Sequence, residues 1–522
     1  DAAGSIRIAT ETGTFASGEN LNVGANLNVA TLTSAAKATF GRELRFTSGG
    51  TYEIEAGDTV TGGTSTTTAV VTRVVLESGS WNAGTAAGRL IFANDSADFT
   101  PAEVLNVGAN LDVATVTAVS SAIVQTVSGR YELFVHNFRG SINSERMYGA
   151  DGVNRGFEWD GTVFVPINTG MTTDTPKHVY VHAEQLFFSF GPSAQHSGIA
   201  EPYLWSAVLG AGEIAVGDTI TGFMSQPGST GAAALLIATR NKAFMLYGNN
   251  ASDWVLTVAQ QDAGVIAYTM QHLNGIIALD DRGVTYVGTS QNYGNFAQNT
   301  ITRRVQKFIN TQRSLSVASC RVREKNQYRL FYSNNKALYI TMQGNKVVGM
   351  LPIELADTPT CTDSEELTDG TEGIFFGDTN GYVYRMDKGT SFDGDSIDAY
   401  LILHYNNLKS PQIDKRFRKL SLEVSGDSYA EMSVSYELGY ASTRISQPGA
   451  STTIESDLSS ADWDGFTWDD FFWDGQALLP ESIPLEGTSE NISVVITSNS
   501  DEFEPFSVTG ALLHYTPRMR IR

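Results

Sequence analysis

Few side chains in this 522-residue sequence stand at spacings that could do chemistry. His178 and His182, in HVYVH, fall on one face of an extended strand, where two imidazoles could begin a zinc site. Four residues of strand separate their backbones by about 13 Å, too far for one ion to bridge unaided. The other five histidines are scattered, with no Cys or paired carboxylate at ligand spacing. Adjacent carboxylates, Asp280 with Asp281 and Asp469 with Asp470, would point to opposite faces of a strand rather than flank a glycosidic bond, and in so acidic a chain they read as solvated surface. GAGEIA (Gly210–Ala215) imitates a dinucleotide fingerprint, but the turn-like VGDTITG follows it and no helix pattern does. Cys320 and Cys361 are too few for a disulfide framework and read as buried thiols. P-loop, HExxH and G-x-S-x-G patterns are absent. The expectation is a protein without enzymatic activity, metal or cofactor.

The elements that hold these residues read as strands throughout, with 50 Gly against 14 Pro implying many tight turns. LNVGANL occurs at Leu21–Leu27 and again, letter for letter, at Leu105–Leu111, an offset of 84 residues. The match extends over Gly4–Thr33 and Gly88–Thr117, and GTYEIEAGDTVTG (Gly50–Gly62) reads as a degenerate middle copy. Residues 1–127 are therefore expected to form repeated small β modules, an insertion or decoration domain. Because the first copy starts abruptly at Gly4, its upstream half is expected outside this numbering.

A second periodicity begins near residue 128. Polar turns followed by alternating apolar runs appear in GVNRGFEWDG (Gly152–Gly161), HAEQLFFSFG (His182–Gly191), ATRNKAFMLYG (Ala238–Gly248), LDDRGVTYVG (Leu279–Gly288), YSNNKALYIT (Tyr332–Thr341) and GDTNGYVYRMD (Gly377–Asp387). Each reads as a hairpin, and hairpins recurring without helices between them predict propeller blades. After Asp395 longer alternating strands, Ala399–Tyr405, Arg418–Val424, Ala430–Leu438, Ile492–Thr497 and Phe506–Tyr515, read as a β-sandwich. The expected fold is all-β: a roughly six-bladed propeller over 128–395, with the repeat domain before it and a sandwich-like domain over 396–522. Trp463, Trp468 and Trp473, in DWDGFTWDDFFWDG, recur every five residues, which suits an irregular loop whose indoles lock onto the domain or onto a neighbouring subunit. SADWDGFTW, inside that stretch, looks like a sialidase Asp-box with one residue too many.

The formal charge is -22, from 35 Lys+Arg against 57 Asp+Glu, which argues against tight sequence-independent binding to phosphate backbones. Basic residues gather in three places: Arg303, Arg304 and Lys307; Lys415, Arg416, Arg418 and Lys419; and Arg518, Arg520 and Arg522. These are assigned to contacts with acidic neighbouring subunits or adaptors. No apolar run approaches the roughly 20 residues of a membrane-crossing helix.

Trp205, GDTITG (Gly217–Gly222), LLIATRNKAFMLYG (Leu235–Gly248) and GVIAYTMQHLNGIIALDDRGVTYVG (Gly264–Gly288), with KSPQIDKRFRKLSLEV (Lys409–Val424), the Trp-Asp stretch and NISVVITSNSDEFEPFSVTGALLHYTPR (Asn491–Arg518), resemble the tail nozzle or tail-hub (DNA-stabilisation) proteins of short-tailed bacteriophages. The resemblance covers residues 200–522. It implies a structural protein of the virion tail, a hexameric ring below the portal and head-to-tail adaptor that meets other tail proteins such as fibres or a needle. Phage DNA would pass along its channel without specific binding. A receptor- or glycan-binding tail propeller is the alternative reading.

Overall fold

The computed structural model describes residues 20–23, 26–31, 40–138, 140, 145–226, 234–248, 250–261, 263–289, 296–344, 346–426, 429–448, 451–457, 479–499 and 506–520. The chain forms two compact units, 1–352 with 359–372 and 353–358 with 373–522. Among the described residues Gln306–Gln312 is the one α-helix, and no helix is long and apolar enough to cross a membrane.

The first unit opens with a barrel. Strand Ala86–Asp95 pairs Thr68–Ser78, which pairs Thr59–Gly62, then Val104–Val107, Asn110–Val116 and Arg42–Gly49, and the last returns to Ala86–Asp95. Closing the ring removes every strand edge but the short Ser121–Ala122 addition on Arg42–Gly49. Leu44, Phe46, Val60, Val71, Leu90, Phe92, Phe99 and Leu105 fill the interior. The middle and second repeat copies are thus strands of one barrel, not separate modules. The repeat itself is a hairpin: Leu105 pairs Ala114 and Val107 pairs Asn110, and 84 residues earlier Leu21 pairs Ala30 and Val23 pairs Asn26. Identical letters give identical register, including the irregularity between the two pairs.

Five four-stranded antiparallel sheets follow, each a simple meander. Blade one is Glu132–His136, Arg146–Ala150, Phe157–Trp159 and Phe164–Pro166; blade two is Val179–His182, Gln185–Phe190, Ser193–His196 and Gly212–Ala215. Blade three is Ile220–Gln226, Ala234–Thr239, Ala243–Tyr247 and Val255–Gln260; blade four is Gln271–His272, Ile276–Asp280, Gly283–Thr289 and Phe296–Thr300. Blade five is Ser316–Val322, Gln327–Tyr332, Lys336–Gln343 and Lys346–Glu354. A sixth, three-stranded sheet comprises Pro359–Glu366, Glu372–Asp378 and Val383–Met386, and within it the chain passes from one unit to the other. First strands of successive blades lie beside one another, as Glu132–His136 does with Val179–His182 and Ser316–Val322 with Pro359–Glu366, which places them innermost in a propeller.

The blade strands explain why alternation is lost in the densest runs. Ala234–Thr239 is buried at every position: Leu235 and Ile237 pack towards blade two, while Ala234 and Leu236 pack towards blade four. Ile276–Asp280 divides likewise, Ile276 towards blade three and Ile277 and Leu279 towards blade five. A strand sandwiched between blades has no solvent face to mark with polar residues. Each of the six sequence hairpins falls in a different sheet. In HAEQLFFSFG the turn pair is Ala183 and Glu184, both in the left-handed region (φ 48 and 55), a two-residue hairpin geometry normally given to Asn or Gly.

Two readings need correction. Asp280 is fully buried, not solvated: its carboxylate accepts the backbone N–H groups of Arg282 and Gly283 and pairs the Arg282 guanidinium at 2.6 Å, capping the turn of blade four. Cys361 is exposed, while Cys320 is buried and its thiol is pushed up to about 12 by desolvation. A native thiol titration should therefore modify one cysteine per chain quickly and the second only after unfolding; two fast thiols would contradict this placement.

In the second unit, strand Ile492–Ser498 lies between Ala399–Ile402 and Tyr429–Leu438, with Thr452–Asp457 beyond the latter. A second sheet is built on the long strand Ile413–Gly426, flanked by Phe506–Arg520 on one side and by Leu479–Pro484 and Thr488–Ser489 on the other. Phe417, Leu420, Leu422 and Val424 from one sheet meet Met432, Val434, Ile492, Val494 and Ile496 from the other, forming a sandwich core.

Candidate functional site

The barrel is fixed to blade one by buried charge. Arg89, with no exposed surface, reaches Glu43 and Glu77 within the barrel at 2.7 Å each and donates to the Pro166 carbonyl of blade one at 2.6 Å. Arg155 of the same blade answers with Glu43 at 3.0 Å. Burial alone would raise the Glu43 carboxyl, yet Arg89 and Arg155 overcome it and hold its pKa below the usual range. A second knot joins Arg73 of the barrel to Glu158 (2.6 Å) and to Asp160, with the Tyr203 hydroxyl donating to Glu158 at 2.5 Å. Four of these contacts, Arg89 to Pro166, Arg155 to Glu43, and Arg73 to Glu158 and Asp160, cross from barrel to blade one, so the barrel is mounted on that blade rather than strung beside it.

The propeller axis is filled at one end by its own side chains. Arg130, leading into blade one, stacks its guanidinium 3.7 Å over the Tyr268 ring, and it also donates to the Val317 carbonyl of blade five. Tyr268, held at φ 63 on the approach to blade four, also meets His178, whose Nδ1 lies 2.5 Å from Glu132. Ser319 of blade five donates to the Tyr268 carbonyl at 3.2 Å. Residues of blades one, two and five and of the segment before blade four thus converge on one point. A centre closed this way leaves no room for a duplex along the propeller axis.

His178 and His182, the pair singled out for spacing, take separate partners, Glu132 and Ser225. His182 turns to Ser225 Oγ of blade three at 3.0 Å, and among the described residues no group of three His, Cys, Asp or Glu could hold a metal. Burial pulls His182 down to about 4 from 6.5, so it is neutral in the folded protein at physiological pH. Its unfolded form takes up a proton first as pH falls, so its contribution is intact above about pH 6.5 and is lost as pH drops through about 4. Unfolding free energies from urea titrations should fall across that window, by up to about 3 kcal/mol from this residue, and His182→Gln should flatten the slope. An unchanged slope would contradict the assignment.

Of the basic residues, Arg303 and Arg304 open the turn before the helix and Lys307 lies in its first turn; all three are exposed, while Ile309 is buried behind them. Lys415 points the other way. It is buried, and its three N–H groups go to the carbonyls of Ser410 (2.7 Å), Ile413 (2.9 Å) and Glu490 (2.8 Å), so it is a structural clamp and offers no charge to a partner. Arg416 and Arg418 are exposed on the opposite face. Strand pairing sets Arg416 against Thr516, and Arg418 Nε donates to Thr516 Oγ1 at 3.5 Å. Arg518, two residues on and exposed, falls on the same face. Two basic stretches about a hundred residues apart in sequence therefore form one cationic sheet face, joined by exposed Lys419 at a register shift. Arg520 ends the same strand, whereas Arg522, Trp463, Trp468, Trp473 and the Asp-box-like run lie outside the described residues. GAGEIA ends in blade two's outer strand, Gly212–Ala215, with no helix to receive a phosphate.

Sequence reasoning missed the axial cluster and the barrel mount. Arg130, Tyr268 and Val317 share no motif; only the topology assembles them.

No family model and no curated protein matches the chain. Among solved structures it is similar to BBS1N in complex with ARL6DN (15% identity over 50% of this chain and 79% of that one, TM-score 0.33). It is also similar to the Neurospora crassa Pan2 WD40 domain (9%, 50% and 76%, TM-score 0.34) and to U3-55K (10%, 48% and 76%, TM-score 0.33). Scores this low leave the blade assignment resting on the strand pairings and say nothing of this chain's partners.

Proposed function

We propose that this chain is a structural subunit of a short-tailed phage tail, six copies of which form a nozzle ring that continues the DNA channel, retains the genome and passes it at ejection. The observation that carries the reading is the segregation of charge. A chain of net charge -22 gathers exposed Arg416, Arg418, Lys419 and Arg518 on one sheet face, where an acidic neighbouring copy or adaptor would complement them. The remaining acidic surface suits the wall of a bore, because it repels phosphate and lets DNA pass without sticking. The filled propeller axis agrees with a bore that lies between subunits. Native mass spectrometry of the full chain at low and high salt tests this: six-fold mass at low salt, dissociating as salt screens the cationic face, is expected. A particle that stays monomeric with its adaptor present overturns it.

A further inference from the structure

A cleft of about 690 Å³ opens between the barrel and blade one. Strand register turns its two walls toward each other. Met147 pairs Trp159 and Trp159 pairs Phe164, so all three side chains stand on one face of blade one, and Phe157, two residues from Trp159, joins them. On the barrel, Ile91 shares a face of Ala86–Asp95 with Arg89, whose guanidinium reaches the Pro166 carbonyl of blade one. Ile91 accordingly packs with the blade-one residues Phe157 and Phe164.

Aromatic rings run together along the cleft. Phe40 meets Phe164 at 4.8 Å, Phe164 stacks on Phe157 at 4.7 Å, and Phe157 meets Tyr131 edge-on at 5.9 Å. Phe40, Tyr131 and Trp159 are exposed, so ring surface stays open to a ligand. Among the described residues no charged side chain lines the cleft, and an ion entering it would find no counter-charge. The Thr72 and Thr162 hydroxyls already donate, to the Ile91 carbonyl and to Asp160. One polar group is unanswered: Gln125 Oε1 is buried and accepts no hydrogen bond among the described residues. Its place at the cleft is fixed by the chain just before it, where the Phe40 N–H donates to the Ile123 carbonyl and the Ile123 N–H to that of Gly41. A donor on a ligand would recover what the unpaired carbonyl costs.

Uncharged aromatic walls and a single unpaired acceptor fit a neutral molecule of flat rings that carries a hydroxyl. We propose that this cleft binds a neutral fused-ring compound of phenol type, its rings against the exposed aromatic side chains and its hydroxyl donating to Gln125 Oε1. A saccharide, with a hydroxyl on most of its carbons, would leave the greater part of them unpaired here. The volume lies within the roughly 300–1,000 Å³ of pockets that enclose small ligands. The site belongs to the first compact unit alone and does not depend on ring assembly.

Saturation-transfer NMR titrations of the full chain test it with probes of one shape: naphthol, naphthalene, naphthalenesulfonate and naphthyltrimethylammonium. Sub-millimolar binding of naphthol is expected, tighter than either ion and about fivefold tighter than naphthalene, the worth of one net hydrogen bond. Gln125→Leu should remove that fivefold preference and leave naphthalene bound, whereas Trp159→Ala should weaken both about tenfold. If Trp159→Ala does not fold, the levelling by Gln125→Leu decides alone. No binding of naphthol, a preference for it that survives Gln125→Leu, affinity unchanged in folded Trp159→Ala, or tighter binding of either ion would each overturn the proposal.

Discussion

Replacing Arg89 by Met is expected to lower stability by about 3 kcal/mol, because it takes a fully buried guanidinium from two carboxylates, leaving buried Glu43 with Arg155 alone and half-buried Glu77 with only the Asn168 amide. Methionine matches the stem of arginine in bulk but brings no donor, so the Pro166 carbonyl also loses its partner. The loss should show as an early unfolding transition of the barrel and blade one, roughly 5–10 °C below the unsubstituted protein. Neutralising the stranded groups is the control. Arg89→Met combined with Glu43→Gln and Glu77→Gln should recover part of the loss, since most of the cost is uncompensated charge. If single and combined variants melt alike, the pair is not what mounts the barrel.

The second large effect concerns assembly. Arg416→Glu, Arg418→Glu and Arg518→Glu together reverse the cationic sheet face without touching the sandwich core, since all three are exposed and Phe417 and Leu420 behind them are unchanged. Each surface change should cost the folded subunit no more than about 0.5 kcal/mol. Like charges set against an acidic neighbour cost several kcal/mol, so association should weaken by roughly a hundredfold or more. Size-exclusion chromatography of the triple variant should show a folded monomer under conditions where the unsubstituted chain assembles. Lys415→Met separates the two roles of this basic run: it should unfold the edge of the sandwich by stranding three carbonyls, not alter the charge of the face. Assembly that survives the triple reversal would remove the cationic face from the interface.

What the sequence revealed followed from local chemistry. Turn residues such as Asn241 and Lys242 or Asn334 and Asn335, set before alternating runs, located a hairpin in each of the six propeller sheets, because a hairpin is a contract among neighbours in sequence. The repeat likewise announced its hairpin, since LNVGANL specifies the same pairing at both sites. Non-local geometry was illegible. Nothing near Thr59–Gly62 indicates that it joins Val104–Val107 to close a barrel. Lys415 looked like its neighbours Arg416 and Arg418, yet strand alternation turns it inward, and only the fold brings the Ser410, Ile413 and Glu490 carbonyls to meet it. Asp280 was misread for the same reason: adjacency in sequence sets the two carboxylates on different sides, but it does not say that one of those sides is a turn needing a cap.

The central claim is a six-fold nozzle whose bore runs between subunits while each propeller axis stays closed. Cryo-electron microscopy class averages of the assembled chain test it most directly. A six-fold ring with a central opening wide enough for duplex DNA, and density filling each propeller at Arg130 and Tyr268, is the predicted result. A monomer that persists with its adaptor present, or a ring with no axial opening, would contradict it.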